Sequence, residues 1–220
     1  MGASGSKGGR ARDGEGAITD RNAEKDLDQQ LIARFKAGSM EAMEEIVRRY
    51  ERPLFNFGLK ICGQSQDAED VIQETFLNAF RYLNGFRGET KLKNWLFKIA
   101  SRTCLRKRRK RKGEPEEEVP LEDFELDAGA NSGYEIPSWS DDPSGQLLRA
   151  ELKRIIDLSI QSLPQKYRLV FNLRDLQGFN TQETAEILEI SPEAVKTRLH
   201  RARLFLRKKI SALYREARAK

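Results

Sequence analysis

The chain has 220 residues, and its 40 Lys and Arg against 34 Asp and Glu give a formal charge of +6. No run of about 18 apolar residues spans a bilayer, the Gly- and charge-rich start lacks the apolar core of a secretory signal, and one histidine with two cysteines, Cys62 and Cys104, leaves little material for metalloenzymes or His-based triads. These exclusions leave an intracellular binding protein whose 34% charged residues suit a helix-rich fold.

Residues 1–26 lack periodicity and are expected to be disordered. From Leu27 the apolar positions Leu31, Ile32 and Phe35, then Met43, Ile46, Val47, Tyr50 and Leu54, recur at helical steps. Gly38 and Ser39 interrupt them, which predicts two helices with Ser39 as an N-cap. The second either runs through Pro53 or restarts there, and Gly63 ends it. Asp67 is expected to cap a third helix with an apolar stripe of Ala68, Val71, Ile72, Phe76, Ala79, Phe80 and Leu83. The other side of that helix carries Asp67, Asp70, Gln73, Glu74 and Asn78. After the loop Phe86-Arg87-Gly88-Glu89-Thr90, a fourth helix starts with Leu92, Trp95, Leu96 and Ile99 and runs into eight basic residues between Arg102 and Lys112.

Between Gly113 and Gly145 there are 11 acidic residues and no basic one. A stretch with that charge and with Pro and Gly reads as a flexible linker. Beyond it, Leu147 to Ile160 build one helix that Leu163-Pro164 ends, and Pro164 seeds another that Gly178 closes. Asn180 and Glu183 match a capping box before a short helix. Ser191-Pro192 then opens a last helix, with Val195, Leu199, Ala202, Leu206 and Ile210 inward and Lys196, Thr197, His200, Arg201 and Arg203 outward. Strand-type alternation is absent. The expected fold is all-α: a helical domain at 27–112, an acidic linker at 113–143, and a second helical domain at 144–216.

Two short helices with a tight turn, the second basic on its outer side, predict a helix-turn-helix whose last helix enters a major groove. An ordinary antiparallel helix pair has the same capping signals; the density of outward cations favours DNA. In the first domain, Phe86, Trp95 and Phe97 lie among Arg87, Lys91, Lys93, Lys98, Arg102 and Arg106. Lys91, Lys98, Arg102, Arg106 and Arg109 form one basic stripe. Cations that follow a backbone beside aromatic faces suit single-stranded DNA, although Trp95 and Phe97 also fit a core.

These residues carry a family likeness. Gln66-Asp67-Ala68-Glu69-Asp70-Val71-Ile72-Gln73-Glu74-Thr75-Phe76 resembles the acidic helix of bacterial RNA polymerase sigma factors. Phe86-Arg87-Gly88 with Trp95-Leu96-Phe97-Lys98-Ile99-Ala100 resembles their −10-opening segment. Leu163-Pro164, Arg174-Asp175, Gly178 and the run from Val195 to Arg203 resemble the domain that reads the −35 element. With these two domains alone, the chain is similar to the small extracytoplasmic-function (ECF) sigma factors.

The resemblance implies a cytoplasmic bacterial initiation factor, not an enzyme, with neither metal nor cofactor. It implies core RNA polymerase as partner, with Asp70, Gln73 and Glu74 docking on the clamp coiled coil of the largest subunit. It places Phe86, Arg87, Asn94, Trp95, Lys98, Arg102 and Arg106 on the melted −10 strand, where a flipped base costs a few kcal/mol of unstacking. Lys196, Thr197, Arg198, His200, Arg201 and Arg203 would meet the −35 duplex, and the acidic linker would lie in the path of nascent RNA. Such proteins are often held by an anti-sigma factor. Three positions depart from the pattern: Arg102 stands where Asn is common, Glu189 where the turn usually has Gly, and Thr184 where an aliphatic residue is expected. Either Glu189 adopts positive φ, at a cost of about 1 kcal/mol, or the turn differs.

The competing readings are a stand-alone DNA-binding regulator and a DNA-processing enzyme such as a recombinase. The acidic helix and the Phe86–Arg106 segment speak against the first. The lack of clustered carboxylates and of a conspicuous nucleophile speaks against the second. Cys62 and Cys104 read as buried or incidental thiols before a redox switch.

Overall fold

The computed structural model describes residues 26–112 and 143–218, and these form helices joined by short turns, with no strand among them. Helix α1 spans 26–36. Helix α2, Met40–Cys62, starts at Ser39, whose Oγ accepts from the Ala42 amide at 3.3 Å, and ends at Gly63 in the left-handed region. It passes through Pro53 without a break, so the continuous alternative is the correct one. Its buried stripe of Met43, Ile46, Tyr50, Leu54, Phe57 and Ile61 follows three- and four-residue steps. Gly58 lets α3 approach closely, since a Cβ there would stand 3.2 Å from the Ala68 Cα.

Helix α3, Ser65–Tyr82, departs from expectation at both ends. Asp67 lies within its first turn, near the positive end of the helix dipole, and the N-cap is Gln64 with no side-chain bond. Phe80, expected inward, is 44% exposed and meets Phe35 edge-on at 5.8 Å. A short 3₁₀ turn at Leu83–Gly85 leads to the Phe86 loop, and α4, Leu92–Lys112, buries Leu92, Leu96, Phe97, Ala100 and Cys104.

The second group begins with α5, Pro143–Ser162, and α6, Gln165–Phe171. A wide π-type turn over Asn172–Leu176 follows, closed by Gln177 N–H to the Asn172 carbonyl at 2.9 Å. Helix α7, Thr181–Leu188, carries the expected capping box between Asn180 and Glu183, and α8, Pro192–Arg218, starts under the Ser191 hydroxyl. Ile160, Leu163, Tyr167, Ala202 and Leu206 form one small core, and Val170, Ala185, Val195 and Leu199 another.

The two groups are not separate bodies. The largest core runs from Leu31 through Leu96 and Phe97 to Leu169, Leu173, Phe179 and Ile187, so α2 and α4 share apolar packing with α6 and α7. Arg168 ties the seam: its buried guanidinium donates to the carbonyls of Leu163 and Gln161 and, at 2.9 Å, to Ile61 at the end of α2. Helix C-termini carry unsatisfied carbonyls and partial negative charge, and a buried guanidinium answers both. Lys60 adds an ion pair to Asp157 across the same seam. The acidic segment expected at 113–143 and the N-terminal extension expected at 1–26 lie outside the described residues, save for the terminal positions 26 and 143.

Candidate nucleic-acid interface

Helix α7 is fixed by a local device at each end. Asn180 Oδ1 accepts from the Glu183 amide at 2.8 Å while Glu183 Oε2 accepts from the Asn180 amide at 2.9 Å. Glu189 ends α7 in the left-handed conformation, φ 57° and ψ 45°, and Ile190 N–H then reaches the Ala185 carbonyl at 3.1 Å. Of the two alternatives for Glu189, a positive φ or a different turn, the positive φ is the one present. Thr184, which stands where an aliphatic residue is expected, is fully buried and donates its hydroxyl to the Asn180 carbonyl at 2.9 Å. That bond satisfies the polar atom an aliphatic residue would lack.

On α8, Val195, Leu199, Ala202 and Leu206 face inward as expected. Lys196, Thr197 and His200 are exposed on its first turns, and Arg198 and Arg201 are half-exposed. Arg203 differs: Asp175 of the π-type turn accepts from its Nε at 2.9 Å and its Nη2 at 2.7 Å. The Asp175 bond raises the Arg203 pKa, and a phosphate has to compete with that carboxylate.

The basic side of α4 is organised otherwise. Phe86 and Trp95 lie together, centroids 5.2 Å apart and half-buried, with the Phe86 carbonyl accepting from Lys36 at 2.6 Å. Arg87 is exposed beside Gly88, which has φ 76°. Asn94 is buried, and its Oδ1 has no hydrogen-bond partner among the described residues. Phe97, one of the aromatics that also suited base stacking, is fully buried, edge-on to Phe57 at 5.3 Å and to Phe179 at 5.0 Å. Lys98 and Arg102 both bind the carboxylate of Glu189, at 3.0 Å and 2.7 Å. Lys91 binds Glu183 at 2.7 Å. Arg106 pairs with Glu74 of α3.

Hydrogen bonds from Arg102 and Lys98 hold the Glu189 carboxyl at about 2. Partial burial pushes the Glu183 carboxyl up, but the Lys91 ammonium and the Asn180 amide outweigh it and the net shift is downward.

Asp70, Gln73 and Glu74 line one edge of α3, next to α4. Gln73 is exposed, while Asp70 contacts Lys107 and Glu74 contacts Arg106. Leu77 and Tyr82, 50% and 63% exposed, extend α3's exposed surface with apolar area that periodicity did not single out. Sequence reasoning named Glu183 as a cap, Asp175 within a motif and Glu189 as a departure, but missed all three as partners of the cations Lys91, Arg203, Lys98 and Arg102. The unusual residue in the turn was the one signal that pointed to any of them. Cys62 and Cys104 lie with their sulfurs 3.6 Å apart, and the hydrogen bond between them, together with burial, raises the Cys104 pKa.

Among the described residues, no helix is long and apolar enough to cross a membrane, and no three His, Cys, Asp or Glu side chains gather as a metal site.

Comparison with known proteins places these two helical groups in context. Residues 46–114 match the family model for sigma-70 region 2, and residues 153–206 match that for sigma-70 region 4. The chain is 31% identical over 196 residues to an RNA polymerase sigma-H factor of Pseudomonas aeruginosa, covering 88% of this chain and 98% of that protein. It is 32% identical over 197 residues to an ECF RNA polymerase sigma-E factor of Haemophilus influenzae, covering 87% and 99%. The fold is similar to that of the sigma factor RpoE of Bartonella quintana in its complex with the anti-sigma factor NepR, with a TM-score of 0.55 and 20% identity over 76% of this chain and 96% of that one.

Proposed function

The chain belongs to the sigma-70 family, in its ECF branch, and is a promoter-directing transcription initiation factor; from that premise we propose how its residues divide the work. Helices α1–α4 form the unit that binds core RNA polymerase and opens the −10 element, within 27–112. Helices α5–α8 form the unit that reads the −35 element, within 144–216. The acidic segment at 113–143 lies between them in the path of the transcript, where like-charged RNA displaces it.

The observation that carries this reading is the first half of α8. Ser191 and Pro192 fix where the helix begins, and Lys196, Thr197 and His200 project from its opening turns with the apolar residues turned away. Those are the positions that meet base edges when a recognition helix enters a major groove. Arg198 and Arg201 flank them, and Arg203 sits nearer the phosphates once it leaves Asp175.

On the other unit, Phe86, Arg87, Asn94, Trp95, Lys98, Arg102 and Arg106 meet the melted strand. Asp70, Gln73 and Glu74 dock on the clamp coiled coil of the largest polymerase subunit. The protein supplies no chemistry of its own and works in the bacterial cytoplasm. An anti-sigma factor, such as the one bound to the Bartonella protein, is the natural inhibitor.

In vitro transcription with core polymerase and a genomic promoter library tests the whole reading. Transcripts that depend on the added chain and share paired −35 and −10 sequences are expected. Core polymerase that starts at the same sites with and without the chain would refute it.

A further inference from the structure

A carboxylate in a left-handed turn needs a reason. Glu189 has φ 57°, a conformation that disfavours any side chain beyond Gly or Asn. The contacts of its carboxylate all cross to the other unit: Lys98 at 3.0 Å and Arg102 through two bonds of 2.7 Å. In the first turn of α7, Glu183 uses one oxygen for its own capping box and the other for Lys91 at 2.7 Å. Lys91, Lys98 and Arg102 are steps of seven and four apart, so α7 lays two carboxylates along one stripe of α4.

Beneath this polar rim, Phe179 closes on Phe97 at 5.0 Å and Lys93 stands over the Phe179 ring at 5.0 Å. Asn94, near that stripe, is 4% exposed with its Oδ1 unpaired. An acceptor shut away without a partner favours any state that uncovers it.

We propose that α7 is an internal latch, in which Glu183 and Glu189 take the place of DNA phosphates on α4 and keep the free protein closed over its own −10 surface. The inference rests on the assignment of Lys98 and Arg102 to the −10 strand and adds the regulation of that site. Polymerase or promoter DNA opens the latch by competing for the same cations. Exposed pairs of this kind are screened by salt, so closure weakens as ionic strength rises.

The test uses the full chain without polymerase. Its lysines are acetylated with limiting reagent, and the modification rates of Lys91, Lys98 and the exposed Lys196 are read by mass spectrometry. Glu189→Gln keeps the turn and removes the charge, Glu189→Gly removes both charge and strain, and Glu186→Gln makes the same charge change at an exposed site on α7. In both Glu189 variants, Lys98 and Lys91 are expected to react about threefold faster, with Lys196 unchanged and the Glu186 variant like the parent.

Lys91 reports whether α7 lifts as a unit, because its partner is Glu183. If Lys98 accelerates while Lys91 does not, Glu189 makes only a local ion pair and the latch is overturned; no change at either lysine overturns it as well. A second arm measures binding of a short fluorescein-labelled single-stranded oligonucleotide of mixed sequence by anisotropy. About fivefold tighter binding by both Glu189 variants, but not by Glu186→Gln, supports masking of a nucleic-acid surface. Faster modification of both lysines without tighter binding would uphold closure and refute the placement of the DNA site on α4.

Discussion

Helices α4 and α8 each carry a dense basic side, and in sequence the two look alike. In the fold they differ. On α8, Lys196, Thr197 and His200 are exposed. On α4, Lys98 and Arg102 are bound to Glu189, Lys91 to Glu183 and Arg106 to Glu74. Charge density along a chain reports where a polyanion is attracted, but whether it can land depends on carboxylates brought in from elsewhere. The side proposed to read the −35 element is thus presented in the fold, while the side proposed for the −10 strand is answered internally.

The largest expected effect falls beneath the α4 side. Phe97→Ala removes a fully buried ring wedged between Phe57 and Phe179 and is expected to cost about 3–5 kcal/mol in urea unfolding. A loss below about 1 kcal/mol would return Phe97 to the surface and to base stacking.

Next in size is the acidic edge of α3, whose partners also come from α4. Asp70→Lys is expected to weaken core polymerase binding by about 2 kcal/mol or more, since it reverses the charge of a proposed docking residue and sets a like charge against Lys107. Unchanged affinity in a pull-down titration, with helicity intact by circular dichroism, would remove Asp70 from the docking surface.

On α8, Lys196→Ala or Arg201→Ala is expected to cost about 1–3 kcal/mol on the −35 sequence and less on a scrambled one. An equal loss on both would assign the side chain to phosphate and narrow the contrast with α4.

The smallest effect is the pH response of closure. Glu189 titrates at about 2 in the fold against an ordinary 4.5, so the folded state favours its charged form. The contribution is therefore complete above pH 4.5 and fades as pH falls toward 2. Faster acetylation is no readout at acid pH, where lysine is protonated, so the check is the interdomain distance by scattering at pH 5 and pH 3. It is expected to grow in the parent and to stay level in Glu189→Gln.

Some of this was legible in advance. Ser39, the Asn180–Glu183 box and Ser191-Pro192 marked helix starts that the fold keeps, because capping is settled within four residues. For Glu189 the resemblance left open a positive φ or a different turn, and the fold takes the positive φ. Periodicity misjudged Phe80, which lies exposed on the edge of its stripe and meets the buried Phe35 edge-on. It left Phe97 open between core and contact, since an apolar residue on a half-basic helix suits both until its neighbours are known.

The sequence by itself determined the helices, the helix-turn-helix and the segregation of acidic from basic stretches, all of which follow from interactions between residues a few positions apart. Only the tertiary structure decided which cations are available. Lys91 and Glu183 are 92 positions apart and Arg102 and Glu189 are 87, yet each pair meets at 2.7 Å. Coulomb attraction depends on distance through space, and that distance is set by how α7 packs on α4.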